Sequence, residues 1–201
     1  MPEKLLPISK SLRRIHSGDL LRFRPSTRVG WWIWALGRSE GSHWAIAYWS
    51  TTDFGRRRLK VLEQIKPEGR EVSFKNYLIG LPSGCVDVYR LAPGIKCDLK
   101  QVVEWALDHG PGIPYDSRGM LRSLLTHLPF LRWFFRPNTD DAANGREQFF
   151  CTAYVAAAFH LGGGLDLVHG RADRDTEPAE LETSGLLKKK FTMVTEERGK
   201  L

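Results

Sequence analysis

The chain has 201 residues and three cysteines, none in a C-x-x-C pair. A chain of that length can bury a core without disulfides, and the cysteine usage argues against a disulfide scaffold or a zinc ribbon and suits a reducing compartment. Thirty Lys and Arg against 23 Asp and Glu give a net charge of +7. That charge permits nucleic acid, anionic lipid or an anionic wall polymer as partner without choosing among them. There is no P-loop, dinucleotide fingerprint or RNA-binding aromatic signature, so no specific nucleic-acid partner is expected. Residues 1–20 hold basic side chains but no continuous apolar stretch of the secretory kind. No run nears the roughly 18 apolar residues of a membrane span. The expectation is a cytoplasmic protein of one domain, with export by a phage or secretion system left open.

Taken in order, Ser17-Gly18-Asp19 reads as a turn, with Asp19 as turn-former, and Leu20–Phe23 as a short strand. Residues 30–37 are aromatic and bounded by glycines. A helical turn there would set Trp31 and Trp34 on one side, either as core packing or as a wall of a substrate cleft. Residues 41–49 read as a strand. Alternation puts His43, Ala45, Ala47 and Trp49 on one face and Trp44, Ile46 and Tyr48 on the other. After a turn at residues 51–55, residues 58–65 form a second strand with Leu59, Val61, Glu63 and Ile65 on one face. Glu63 is conspicuous there, a carboxylate among aliphatic neighbours. A hairpin centred on Asp53 sets His43 opposite Glu63, where Cα atoms stand about 4.5–5.5 Å apart; a slip of one residue would send Glu63 to the other face.

Residues 71–78 read as a connection with a short helix, and residues 85–91 as a strand with Cys85 structural. Asp98 begins a well-signalled helix: Gln101 completes a capping box, and Leu99, Val102, Val103, Ala106 and Leu107 make one stripe. His109-Gly110-Pro111 ends it, and Cys97 lies just before it without a partner. Gly112-Ile113-Pro114-Tyr115-Asp116 is a tight loop, after which Ser117 is placed to cap a helix. Residues 118–136 are basic and amphipathic. Such a segment either packs on a core with its arginines outward or lies on a membrane or acyl pocket. Residues 138–148 are polar.

Residues 149–159 then form an apolar helix that starts at Cys151 and stops at Gly162-Gly163-Gly164. A thiol at a helix N-terminus sits in a field that favours thiolate; equally, a buried free cysteine is often only structural. This stretch alone does not choose. Residues 165–175 are a loop, and His169 joins His16, His109, His127 and His160 as histidines without a local partner. Thr176-Glu177-Pro178 opens a capped helix with proline in its first turn. Residues 190–195 are a last strand.

A cysteine nucleophile needs a base and a group that orients it. Here the order along the chain is His43, Glu63, Cys151, whereas papain of ordinary connectivity has its cysteine first. In Gly18-Asp19-Leu20-Leu21, Gly41-Ser42-His43-Trp44-Ala45-Ile46, Val61-Leu62-Glu63-Gln64-Ile65, Gly112-Ile113-Pro114-Tyr115-Asp116 and Phe150-Cys151-Thr152-Ala153-Tyr154-Val155, the chain resembles the circularly permuted papain-like hydrolases, the YiiX-like and lecithin:retinol-acyltransferase-like branch of the NlpC superfamily. Thr176-Glu177-Pro178 with Leu181 and Ser184 is a weaker match. These stretches fall in the family's order along most of the chain. Thr152 departs from the serine usual after the cysteine, and residues 118–148 are longer than the family leads one to expect.

The resemblance implies an α+β fold, a small antiparallel sheet or partial barrel packed against helices, with a helical and apolar insertion at about residues 117–148. It implies Cys151 as nucleophile, His43 as base and Glu63 as orienting residue, with no metal or cofactor called for. Tyr115, Trp44, Thr152 and Trp31 are candidates for substrate contact. The expected reaction is acyl transfer on an amide, peptide-like bond, cell-wall peptides being one substrate class. The alternatives are a lipid-directed acyl hydrolase or acyltransferase in peripheral contact with an anionic surface, and a non-catalytic ligand-binding module. Oligomeric state is not readable from the sequence.

Overall fold

The computed structural model describes residues 4–24, 43–78, 86–125 and 148–194. Its fold is α+β. Seven strands form one sheet in the order β1-β7-β6-β2-β3-β4-β5: β1 Leu5–Pro7, β2 Leu20–Phe23, β3 His43–Thr51, β4 Arg57–Gln64, β5 Gly69–Ser73, β6 Val86–Leu91 and β7 Leu187–Val194. Neighbours pair antiparallel except β1 with β7, which are parallel. The described α-helices are α1 Ile8–Leu12, α2 Phe74–Leu78, α3 Leu99–His109, α4 Ser117–Leu125, α5 Cys151–Ala157 and α6 Pro178–Thr183.

Strand alternation sends apolar side chains to both faces of the sheet, and each face has its own core. On one face Leu20, Trp44, Ile46, Leu62 and Tyr89 pack against Val102, Val103 and Ala106 of α3 and against most of α5. On the other, Leu21, Phe23, Ala45, Ala47, Leu59, Val61 and Val88 pack with Ile15 and Phe74. Helix α5 is buried along its whole length. It runs on into a wider π-turn, Ala158–Gly162, and ends at the glycines where the sequence places its stop. A Cβ on Gly163 would come within 2.5 Å of Val102, so the end of α5 lies on α3 only because that position has no side chain.

Three local readings change or sharpen. Asp98 does cap α3, accepting from the N–H groups of Lys100 and Gln101. Helix α4 is capped one residue earlier than expected: Asp116 Oδ1, not Ser117, accepts from Gly119 N–H at 2.7 Å. Three histidines have partners close by: His109 Nδ1 with Trp105 C=O at 2.9 Å, His160 Nδ1 with Asp173 at 3.0 Å and His169 Nδ1 with Asp166 at 2.9 Å. The readings on Trp31, Trp34, Cys85, His127 and residues 126–147 lie outside the described residues.

Candidate active site

The β3–β4 hairpin fixes the first two residues of the site. Its register is Ile46 with Leu62 and Ala47 with Val61. Continued, it sets Glu63 level with Ala45 rather than with His43. The direct opposition of His43 and Glu63 is therefore corrected to a diagonal. The cause is the turn: Gly55 N–H bonds Thr52 C=O and Thr52 N–H bonds Arg56 C=O, which centres the hairpin one residue beyond Asp53. A shift of two residues keeps every side chain on its face, and long side chains reach diagonal neighbours. His43 Nε2 and Glu63 Oε2 are 2.7 Å apart.

Glu63 is only 1 % exposed, yet its second oxygen is also engaged. Oε1 accepts from Arg70 Nε at 2.7 Å. Arg70 faces Glu63 across the β4–β5 ladder. The sequence reading misses Arg70 because residues 69–73 do not stand out as a strand; the available signal is the turn-forming Pro67 and Gly69 before them. Phe23, on the neighbouring strand, sets its ring 5.6 Å from the His43 ring.

Cys151 is the first residue of α5 and is buried. Its side chain is close enough to His43 to act on the charge of that ring. With Nε2 taken by Glu63, Nδ1 is the ring nitrogen left for the sulfur. Burial alone pulls the His43 pKa down. Cys151 and Glu63, as close partners and as charges, outweigh it and lift the pKa to about 10. An imidazolium held between two acids is the expected consequence.

The approach to Cys151 is set by the loop at residues 112–116. Gly69 N–H bonds Ile113 C=O, Gly112 N–H bonds Gly69 C=O and Tyr115 N–H bonds Pro67 C=O. On its other side the loop pairs Tyr115 with Phe149, and Asp116 N–H bonds Phe149 C=O at 2.9 Å. The segment entering α5 is thus tied to the β4–β5 turn through one loop. Gly69 must lack a side chain, since a Cβ there would stand 2.1 Å from Gly110 C=O. The result puts the Tyr115 phenol within range of the Cys151 charge. Burial first, then the sulfur's charge and Asp116, push the Tyr115 pKa upward, so its hydroxyl keeps its proton.

Of the four residues expected to contact substrate, Tyr115 lies within range of the Cys151 charge, with its hydroxyl donating to Met120 Sδ at 3.3 Å. Trp44 is not at a surface: it is 0 % exposed, within the α3–α5 core, its ring 5.0 Å from Tyr89. Alternation puts Trp44 on the opposite face of β3 from His43, inside the core shared with α3 and α5. Thr152 is likewise fully buried, and its hydroxyl donates to Thr176 C=O at 2.5 Å, tying α5 to the segment before α6. Both are corrected to packing roles. Trp31 lies outside the described residues.

The sequence matches no known family model and no curated protein. The fold does match a solved structure, that of the metalloprotein YiiX (DUF1105) from Escherichia coli O157:H7. The TM-score is 0.57 at 12% identity, over 88% of this chain and 97% of that one. The fold is YiiX-like. At that identity the match speaks for the fold alone. YiiX is named a metalloprotein; among the described residues of the present chain no group of three or more His, Cys, Asp and Glu is placed to hold a metal ion. Nor is any described helix long and apolar enough to cross a membrane.

Proposed function

We propose that this YiiX-like protein is a permuted papain-like cysteine hydrolase that cleaves an amide bond in a peptide-like substrate through a thioester acyl-enzyme. One observation supports the reading: His43 sits 2.7 Å from the buried Glu63 carboxylate and close enough to Cys151, at a helix start, for that thiol to raise its pKa. The raised His43 pKa favours imidazolium, which stabilises a thiolate at Cys151. The sulfur attacks the substrate carbonyl carbon, and the carbonyl oxygen takes up the negative charge. The Cys151 N–H, at the first helical position where the helix supplies no acceptor, is the candidate donor to that oxygen. As the C–N bond breaks, His43 gives its proton to the departing amine. Water, losing a proton to His43, then attacks the thioester, releasing the acid and restoring the thiolate. Glu63 keeps the ring oriented and its charge compensated throughout, with Arg70 holding the second oxygen.

Peptides of the bacterial wall are the first substrates to try. Wild type should hydrolyse them with an acyl adduct on Cys151 detectable by intact mass after acid quench. Cys151→Ala should lose turnover by roughly 10⁴-fold or more. Turnover that survives Cys151→Ala would reject the proposal.

A lipid-directed acyl hydrolase is the second reading. It is favoured by Leu121, exposed on α4 in the turn after Arg118. Turnover of a lipid ester or amide in place of wall peptides would select it.

A further inference from the structure

The end of the β3–β4 hairpin farthest from His43 has features that the hydrolase reading does not use. Thr51 is eight residues along β3 from His43, about 26 Å at the usual rise of a strand. Beyond it the turn presents Phe54, which is 91 % exposed. The turn is well held: Gly55 N–H bonds Thr52 C=O at 2.8 Å, and Thr52 Oγ1 accepts from Arg56 N–H at 3.2 Å. Gly55 has φ +71°, a conformation that favours glycine. Phe54 is thus fixed at the apex and turned to solvent.

Arg56, Arg57 and Arg58 follow directly, all exposed. Asp53 is the single carboxylate between Trp49 and Arg58. Two cavities flank Trp49 below the apex. One, of about 550 Å³, is lined by Arg13, His16, Ser17, Ile15, Trp49 and Arg57. The other, of about 500 Å³, carries Arg58 and Lys75 among its lining. The Arg57 guanidinium lies 5.0 Å from the centre of the Trp49 ring, and the Trp49 indole N–H is anchored on Ile15 C=O at 2.8 Å. Nearby, Asp19 is already engaged by Arg90 at 2.6 Å, so it does not neutralise this face.

We infer that this hairpin end is a docking surface for an anionic phospholipid membrane. Phe54 enters the interface, and Arg13, Arg57, Arg58 and Lys75 take headgroup phosphates at the mouths of the two cavities. A fixed apolar apex ringed by cations is what the interface of an anionic bilayer recognises. The ring buries among the acyl chains while each arginine gains from the surface potential. Nucleic acid would use the same charge but offers no apolar layer for Phe54. The inference stands apart from the hydrolase reading, since none of these residues belongs to that site.

The test is sedimentation of the full chain with phosphatidylcholine vesicles, alone or with roughly 30 mol% phosphatidylserine. The expected result is binding to the mixed vesicles only, weakened about tenfold by Phe54→Ser and about fivefold by each of Arg57→Gln and Arg58→Gln. All three side chains are at the surface, and unchanged alkylation of Cys151 would show that each variant is folded. Equal binding to both vesicles, no binding to either, or binding unaffected by Phe54→Ser would overturn the inference. Tighter binding to a single-stranded oligonucleotide than to the mixed vesicles, insensitive to Phe54→Ser, would overturn it in favour of nucleic acid.

Discussion

At the scale of single residues, two free cysteines among the described residues have opposite surroundings. Cys97 lies beside Asp98, and burial together with that carboxylate pushes its thiol up to about 11, so it is inert near neutrality. Cys151 has instead a histidine whose own partner is a buried carboxylate. Glu63→Gln keeps the shape of the hydrogen bond but removes a charge that raises the His43 pKa. The expected outcome is a shift of the alkaline limb of Cys151 alkylation to lower pH, read from rates across pH 6 to 10. The sign follows from a raised pKa: imidazolium is complete well below about 10 and is lost as pH climbs through it. A limb that does not move would mean that Glu63 carries no charge there. Tyr115→Phe removes a hydroxyl that feels the Cys151 charge while keeping the ring. Under the hydrolase reading it lowers turnover, with alkylation of Cys151 changed by less than about threefold.

Among the elements, those with strong local signals are where the sequence places them. Leu20–Phe23 carries a strand pattern straight after a Ser-Gly-Asp turn. Helix α3 has an aspartate cap and an apolar stripe, and α5 is apolar all round and ends in glycines. Asp98→Ala removes a side chain that satisfies two N–H groups and should cost about 1 kcal/mol, measured by urea unfolding. What escapes the sequence has weak local chemistry and strong tertiary support. Strand β1 has three residues ending in proline and exists because β7 pairs with it. Strand β5 carries two charges in five residues and reads as a connection until Arg70 is seen bonding Glu63. The hairpin register is not legible because turn geometry, not strand pattern, decides between Asp53 and Phe54 as the centre. The face of Glu63 is legible; its opposite number is not.

For the molecule as a whole, the sheet is held through its middle by a buried charge cluster that a linear reading does not foresee. Asp87 on β6 pairs with Arg22 on β2 at 2.5 Å, with Lys189 on β7 at 2.8 Å and with the Thr192 hydroxyl. Arg22 is 65 positions from Asp87 and Thr192 is 105. The cluster spans three adjacent strands, so it ties the chain's beginning to its end. Burial pushes the Asp87 carboxyl upward, but Lys189, Thr192 and Arg22 hold it down at about 2. A depressed carboxylate stabilises above its ordinary value of 3.8 and loses that contribution as pH falls toward 2. Wild-type stability should therefore drop steeply between about pH 4 and pH 2. Asp87→Ala, which leaves Arg22 buried without its main partner, should cost about 3–5 kcal/mol at neutral pH and flatten that drop. Urea midpoints across the pH range measure both.

The central claim is the proposal that Cys151 is a nucleophile activated by His43. Rates of iodoacetamide labelling at about pH 6, resolved cysteine by cysteine by mass spectrometry, test it most directly. The account predicts that Cys151 labels at least about tenfold faster than Cys97, and that His43→Ala removes the difference. Equal rates at both cysteines, or a Cys151 rate indifferent to His43→Ala, would contradict it.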